Sequence, residues 1–390
     1  MKVLHVISSL NPIKGGPGQA IRNVIPELKT LGVSNVVTCL DAEDATFIKE
    51  SPCPVHALGE VNNAWHYHPR LMSWLINHLV NFDVVIVHGL WLYHSYAVYK
   101  ALKNLQKKGE RTPKMYVMPH GMLDPWFQRA KSRKLKAIRN WGYWKLIEKH
   151  VINGANGILF TCEEELRLAK EPFQPYIPKR VLNVGFGVQP PPEWFFAIEY
   201  AFYMQCPKVQ GFSYLLFLGR IHEKKGLDLL LTAYLQLKNK GLNLPDLVIA
   251  GPGLDTFYGK QILKLAQNDS NIHFVGMLQG DAKWGAFYGC EAFILPSHQE
   301  NFGIAVVEAM ALKKPVLISN QVNIWKEIER EQGGIISTDN IEGVKQQIIQ
   351  WISLTREQKA AMGNNAYFTY TKHFSIVEVA KKFVDVFTGQ

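Results

Sequence analysis

The segment Glu300-Asn301-Phe302-Gly303-Ile304-Ala305-Val306-Val307-Glu308 sets two carboxylates eight residues apart, just after a short apolar run and leading into a helical pattern. One carboxylate then stands before the helix and the other about two turns inside it. Glu300 can reach hydroxyls of a bound sugar, and Glu308 can accept from the two hydroxyls of a ribose. Between them, the amides of Asn301, Phe302, Gly303 and Ile304 form an anion cradle at the helix start. Ordinary solvated surface accounts poorly for Glu308, which lies among Val306, Val307, Ala309 and Met310, because a carboxylate in apolar company needs a partner. A second set lies in Gly219-Arg220-Ile221-His222-Glu223-Lys224-Lys225-Gly226. Arg220 and Lys225 project from one strand-to-helix loop, where two fixed cations can hold a diphosphate as it gains charge. Taken alone, such a pair is more often plain surface. A third lies in Gly15-Gly16-Pro17-Gly18, after the first apolar run. Gly16 and Gly18 let the backbone approach a phosphate at a helix N-terminus, or they make an ordinary strand-to-helix turn. The spacing is neither the dinucleotide fingerprint nor a Walker loop, so both readings stay open. His120, in Pro119-His120-Gly121-Met122, follows a short apolar run and so sits at the carboxyl edge of a sheet.

The elements that must position these residues read as short apolar runs alternating with amphipathic stretches. The runs cover 3–7, 36–40, 84–88, 116–118 and 158–161 in the first half and 214–218, 247–250, 273–275, 293–295 and 316–319 in the second. Strands alternating with helices predict two parallel sheets covered on both faces. The length, 390 residues, also predicts two domains. Residues 1–188 are expected to form the first and 212–372 the second. Between them, residues 189–211 carry Pro190-Pro191-Pro192 and Pro207 and are expected to be an irregular linker, because proline removes a donor and fixes φ. The cluster Trp194, Phe195, Phe196, Tyr200, Phe202 and Tyr203 is odd for a free linker and predicts a segment packed on a lobe or on the cleft. Residues 373–390 are expected to form a closing helix that packs back on the first domain, with Ile376, Val379, Ala380, Phe383 and Phe387 on one face.

Composition narrows the function classes. With 47% hydrophobic and 19% charged residues, a sizeable core can form, which excludes disorder, collagen and coiled coil. The five scattered cysteines lack metal or framework spacing, which fits a reducing compartment. No signal peptide and no apolar run long enough to span a bilayer is evident, so a cytoplasmic protein is expected. The net charge of +10 favours a partner that is anionic somewhere.

Taken together, the GGPG loop, Gly219-Arg220 with Lys225-Gly226, Ala250-Gly251-Pro252-Gly253 and Glu300-x7-Glu308 resemble the retaining glycosyltransferases of family four, over nearly the whole chain. The resemblance implies the GT-B fold, an α/β architecture of two Rossmann-like βαβ domains facing across a cleft, with an acceptor domain followed by a nucleotide-sugar domain. It implies a donor site of Arg220 and Lys225 on the diphosphate, Glu308 on the ribose, and Glu300 with the 301–304 backbone on the transferred sugar. His-Gly-Met-Leu at 120–123 resembles a variant found in polysaccharide-building members, implying that His120 contacts the primary hydroxyl of that sugar and supports the transition state. The implied partners are a nucleoside-diphosphate sugar, UDP favoured and GDP second, and a growing, lipid-linked glycan. No Asp-x-Asp occurs in the chain. No metal or other cofactor is therefore expected, since Arg220, Lys225 and a helix N-terminus can neutralise the diphosphate. A sugar-nucleotide epimerase of the same fold is the alternative within the class.

The charge excess is local. Residues 126–150 hold eight cations, among them Arg129, Lys131, Arg133, Lys134, Lys136 and Arg139, against Glu148 alone. Ile138, Trp141, Trp144, Ile147 and Val151 recur every three or four residues. This predicts one basic amphipathic helix that lies on anionic lipid at the inner face of the plasma membrane, beside the acceptor. A helix that packs on the core and leaves its basic face in solvent is the plain alternative. Nucleic-acid binding is disfavoured, because it leaves Glu300, Glu308 and the GGPG loop idle and no RNA or DNA module is present.

Overall fold

The computed structural model of the chain describes residues 1–12, 15–130, 133–266 and 269–389. Residues 1–187 and the closing helix form one unit, and residues 188–375 form the second. The first unit contains β1 (Lys2–Ile7), β2 (Ser34–Cys39), β3 (Val55–Ala57), β4 (Val84–His88), β5 (Lys114–Met118), β6 (Gly157–Phe160) and β7 (Val181–Asn183). They form one parallel sheet in the order β3-β2-β1-β4-β5-β6-β7. The second unit contains β8 (Tyr214–Leu218), β9 (Asp246–Ala250), β10 (Ile272–Gly276), β11 (Ala292–Leu295), β12 (Val316–Ser319) and β13 (Gly334–Ser337), ordered β10-β9-β8-β11-β12-β13 and again all parallel. Each unit is a doubly wound, Rossmann-like α/β sheet.

The ten expected strands are all present. Every residue of β4, β6, β9, β11 and β12 is buried, which is why those strands read as unbroken apolar runs. The three strands that the sequence did not announce, β3, β7 and β13, close sheet edges. They run three or four residues and are only partly buried, so no continuous run marks them.

Helix Gly16–Thr30 has Pro17 in its first turn and buries Ile21, Val24, Ile25 and Leu28, the spacing of one helix face. Against the same side of the sheet lies helix Ile376–Thr388, which buries Ile376, Val379, Ala380, Phe383, Val386 and Phe387. It is tied by Tyr116 Oη donating to the Val386 carbonyl at 3.2 Å. The last helix in the chain is therefore core of the first unit.

Residues 189–211 are not an irregular linker. They contain helix Phe196–Gln205, whose fully buried Ile198 and Phe202 pack on helix Gly280–Gly289. The close approach depends on Gly285, where a Cβ would run into the Ile198 carbonyl and the Phe202 side chain. Trp194, Phe195, Phe196 and Tyr200 stay exposed. The prolines flank this helix instead of interrupting it.

The basic segment is not one helix either. It consists of helix Trp126–Arg129, helix Lys134–Tyr143, a π-helical turn Trp144–Glu148 and helix Lys149–Gly154. The wider turn rotates the face that follows it. Trp144 and Val151 are core residues, while Leu135, Ile138, Trp141 and Leu146 are exposed.

Candidate active site

In an open parallel sheet, ligands bind beyond the carboxyl ends of the strands where the winding reverses. In the second unit that point lies between β8 and β11, and the loops after those two strands carry Arg220, Lys225 and Glu300. The β8 loop is held by glycines. A Cβ on Gly251 would overlap the Gly219 carbonyl and one on Gly253 the Ile221 carbonyl, so the loop after β9 can lie directly on residues 219–221. Gly226, at φ +65°, starts helix Leu227–Asn239 and leaves no room for a side chain beside the Pro296 carbonyl. Arg220 is exposed and has no ion pair among the described residues. Lys225 pairs with Glu300 across the two loops.

Glu300 is fixed at main chain and side chain. Its amide donates to the Gln321 carbonyl and its carbonyl accepts from the Asn323 amide, both at 2.9 Å. Burial pushes the carboxyl up, but the Lys225 ammonium outweighs it, with help from Lys224 and the Gly303 amide, and holds Glu300 below the usual carboxylate range. Gly303, at φ +77°, precedes helix Ile304–Ala311, and its amide is directed at Glu300. Of the amides expected over residues 301–304 to cradle an anion, that of Gly303 is thus directed at the Glu300 carboxylate. The Phe302 side chain is buried edge-on against Phe374, ring centroids 5.5 Å apart, which leaves only its main chain to face a ligand. Asn301 receives the Asn323 side-chain amide at 3.4 Å. Glu308 finds its partner in Lys283, at 2.7 Å. Burial raises the Glu308 carboxyl and Lys283 offsets only part of that. The Lys283 ammonium also stands 4.2 Å from the centre of the Trp284 ring, a cation–π contact.

In the first unit the winding reverses between β1 and β4. There a cavity of about 100 Å³ is lined by Ser8, Ser9, Gly15, Pro17, Gly18, His88, Leu92 and Met122, among others. Buried Asp41 holds the rim, accepting from Ser9 Oγ at 2.5 Å and from the Leu10 amide at 2.7 Å. Gly15 needs its glycine, at φ +104°. Gly18 lies against the Leu10 backbone, whereas an added Cβ on Gly16 would meet nothing within 4 Å. His120 follows β5 at φ +53°, a conformation that side chains rarely adopt. Buried Glu165 fixes that turn: its Oε1 accepts from the Gly121 amide at 2.5 Å and its Oε2 from Thr161 Oγ1 at 2.5 Å. Three imidazoles run across β1, β4 and β5. His5 Nδ1 lies 3.0 Å from His88 Nε2, and His88 Nδ1 lies 3.0 Å from His120 Nε2. Burial keeps all three neutral. His5 is pushed down to about 4 and His120 to about 3, and His88 falls well below the usual range with the neighbouring rings adding to the effect.

The basic residues divide. Arg129 pairs with Glu171 at 2.9 Å, and Arg133 stacks over Phe127 at 4.8 Å, so neither is a free surface cation. Lys134, Lys136 and Arg139 are exposed, and Lys131 lies outside the described residues. Sequence reasoning missed Lys283, Asp41, Glu165, His5 and His88. For the histidines a signal existed, since His5 interrupts the apolar run of β1 and His88 ends that of β4. Lys283 and Glu165 carry no local mark of a site, because Glu308 and Gly121, which they reach, lie 25 and 44 residues away.

The chain is similar to known proteins over most of its length. Residues 15–184 match the model of the glycosyl transferase 4-like domain and residues 205–368 that of the glycosyl transferases group 1. An uncharacterized glycosyltransferase of Methanocaldococcus jannaschii is 28% identical over 178 residues, 44% of each chain. The O-antigen chain mannosyltransferase C of Escherichia coli is 31% identical over 111 residues, 27% of this chain and 28% of that one. The matched stretch spans less than half the length of these curated relatives. Among solved structures, the Anabaena protein HepE superposes with a TM-score of 0.75 at 15% identity, over 100% of both chains. A glycosyltransferase of Rickettsia africae gives 0.74 at 17% identity, over 100% of this chain and 98% of that one. The two matched models take in most of the sequence and the fold agrees end to end with GT-B structures, so the chain belongs to glycosyltransferase family four.

Proposed function

We propose that the protein transfers a sugar from a nucleoside diphosphate, UDP before GDP, to a growing lipid-linked glycan, with retention at the anomeric carbon and without a metal. The observation that carries this reading is the Lys225–Glu300 pair joining the two loops at the β8/β11 switch point. It gathers a cation for the diphosphate and an ionised carboxylate for sugar hydroxyls at the place where such sheets bind ligands. Arg220 supplies the second cation and Glu308, held by Lys283, takes the ribose. HepE, which was solved with UDP and glucose, supports the choice of base. The O-antigen mannosyltransferase and a capsular polysaccharide glycosyltransferase of Staphylococcus aureus, 22% identical over 160 residues, support the glycan acceptor. In this mechanism the acceptor hydroxyl attacks from the face the diphosphate leaves. Its proton passes to the departing phosphate oxygen, and Arg220 and Lys225 hold the charge that develops there.

A nucleotide thermal-shift screen followed by a transfer assay tests the reading. A ligand that binds only the folded chain stabilises it by about 2.7 kcal/mol at a hundredfold excess over Kd. A UDP-sugar is therefore expected to raise Tm, and exhaustive EDTA to leave transfer intact. Loss of activity with EDTA and its return with Mn²⁺ would overturn the metal-free part. Release of a free, epimerised sugar without a glycan would replace transfer by epimerisation.

The same reading places the first unit on anionic lipid. No described helix is long and apolar enough to cross a membrane. Helix Lys134–Tyr143 and the turn after it nonetheless leave Leu135 84%, Ile138 68% and Leu146 77% exposed, beside exposed Lys134, Lys136, Arg139 and Lys145. Each cation near an anionic surface contributes about 1 kcal/mol before screening, and inserted apolar side chains add a part that salt does not weaken. Changing Lys134, Lys136 and Arg139 together to Glu is expected to abolish co-sedimentation with phosphatidylserine vesicles at low salt. Equal sedimentation of variant and wild type would leave these cations as solvated surface.

A further inference from the structure

His120 does not end a chance row of rings, because the row has a defined far end. Asn35 Nδ2 donates to the Val33 carbonyl at 3.0 Å, which turns Asn35 Oδ1 toward His5 Nε2, 3.1 Å away. A carboxamide oxygen can only accept, so the proton of His5 sits on Nε2 and its Nδ1 carries the lone pair. His88 Nε2 must then donate to His5 Nδ1, leaving His88 Nδ1 to accept from His120 Nε2. Each step is forced by the one before it, since a neutral imidazole has one donor and one acceptor. The rings stack at centroid separations of 5.3 Å for both pairs, and His94 Nε2 bonds the His88 carbonyl at 2.9 Å, holding the strand end. His5, His88 and Asn35 are buried, so water does not compete for these bonds.

We infer that Asn35, His5 and His88 are positioning residues that fix His120 as the Nε2-protonated tautomer, so that a hydroxyl reaching the ring meets Nδ1 as a hydrogen-bond acceptor. This rests on the transfer reading above for the identity of the ligand, but not for the state of the ring. Burial keeps the three imidazoles neutral near neutral pH, the condition under which the tautomer passes along the row. An acceptor at His120 suits a hydroxyl whose own oxygen is left free for another donor, and it does not suit a carbonyl or phosphate oxygen.

Ring-¹⁵N-labelled histidine incorporated into the full chain reads this directly, because protonated and unprotonated ring nitrogens resonate apart. The His120 signals are assigned by their loss in His120→Gln. In the wild type His120 is expected to carry its proton on Nε2. Asn35→Leu and His88→Leu remove the restraint and are expected to give mixed tautomers, with kcat reduced about 10-fold and donor KM little changed. His88→Asn puts an amide oxygen close to where Nδ1 stood and is expected to restore both the tautomer and most of kcat. Where a leucine variant does not fold, the wild-type and His88→Asn spectra still decide. A proton on His120 Nδ1 in the wild type, or an unchanged tautomer in folded Asn35→Leu and His88→Leu, overturns the inference. Absence of transfer alongside the expected wild-type spectrum counts against the transfer reading and leaves the tautomer assignment standing.

Discussion

Lys225→Ala is expected to lower kcat/KM for the nucleotide-sugar about 100- to 1,000-fold, and Arg220→Ala comparably, because each removes a charge-assisted contact to a diphosphate that gains charge as its sugar departs. The lysine change does more. Lys225 is the main influence holding Glu300 ionised against its burial. Without it burial dominates, the carboxyl rises above its ordinary range, and the acid limb of the pH–rate profile moves to higher pH. Stability shifts with it. In the wild type the folded-state carboxyl is depressed, so its contribution is present above the ordinary carboxylate range and lost as pH falls through the depressed value. In Lys225→Ala the carboxyl is raised, and the variant loses stability as pH rises instead. Arg220 is exposed and does not contact Glu300 among the described residues, so Arg220→Ala is expected to lose rate without that reversal. Steady-state kinetics and melting curves across pH check both parts. A folded Lys225→Ala with near wild-type kcat/KM would remove the donor site from these loops.

Gly251→Ala is the largest expected effect on stability. The residue sits at φ +143°, and a Cβ there overlaps the Gly219 carbonyl, a main-chain atom that can yield only if the whole β8 loop moves. Strain and displacement together cost about 2–4 kcal/mol, equivalent to a fall in Tm of about 5–15 °C for a unit of this size. Because the displaced atoms adjoin Arg220, transfer should fall as well. Gly16→Ala is the control for stability: nothing lies within 4 Å of its added Cβ, and its Tm should move by less than about 2 °C, as for surface changes generally. Equal melting of the two variants would mean that the loops after β8 and β9 do not need their close contact.

The folds of the two units were legible in the sequence because a strand buried on both faces must be apolar throughout. Thus 84–88 and 293–295 could be read directly, and β3, β7 and β13, at sheet edges, could not. The residues proposed for the donor site stood out for a related reason: Arg220, Lys225, Glu300 and Glu308 sit at fixed offsets from strand ends, and offsets are a property of the chain. The helix in 196–205 was hidden because a run of prolines beside it outweighs, in any local reading, the partner helix that stabilises it. The basic segment misled because steps of three residues drift by about 60° each around an α-helix, so Ile138 and Trp144 do not share a face, and the π-helical turn over Trp144–Glu148 shifts the phase again for the residues after it. What only the tertiary structure decided are the pairings. Lys225 meets Glu300 across 75 residues and His5 meets His88 across 83, because β8 lies beside β11 and β1 beside β4. Strand order is set by how helices cover two faces of a sheet at once, a property of the whole packed unit that no stretch of sequence contains.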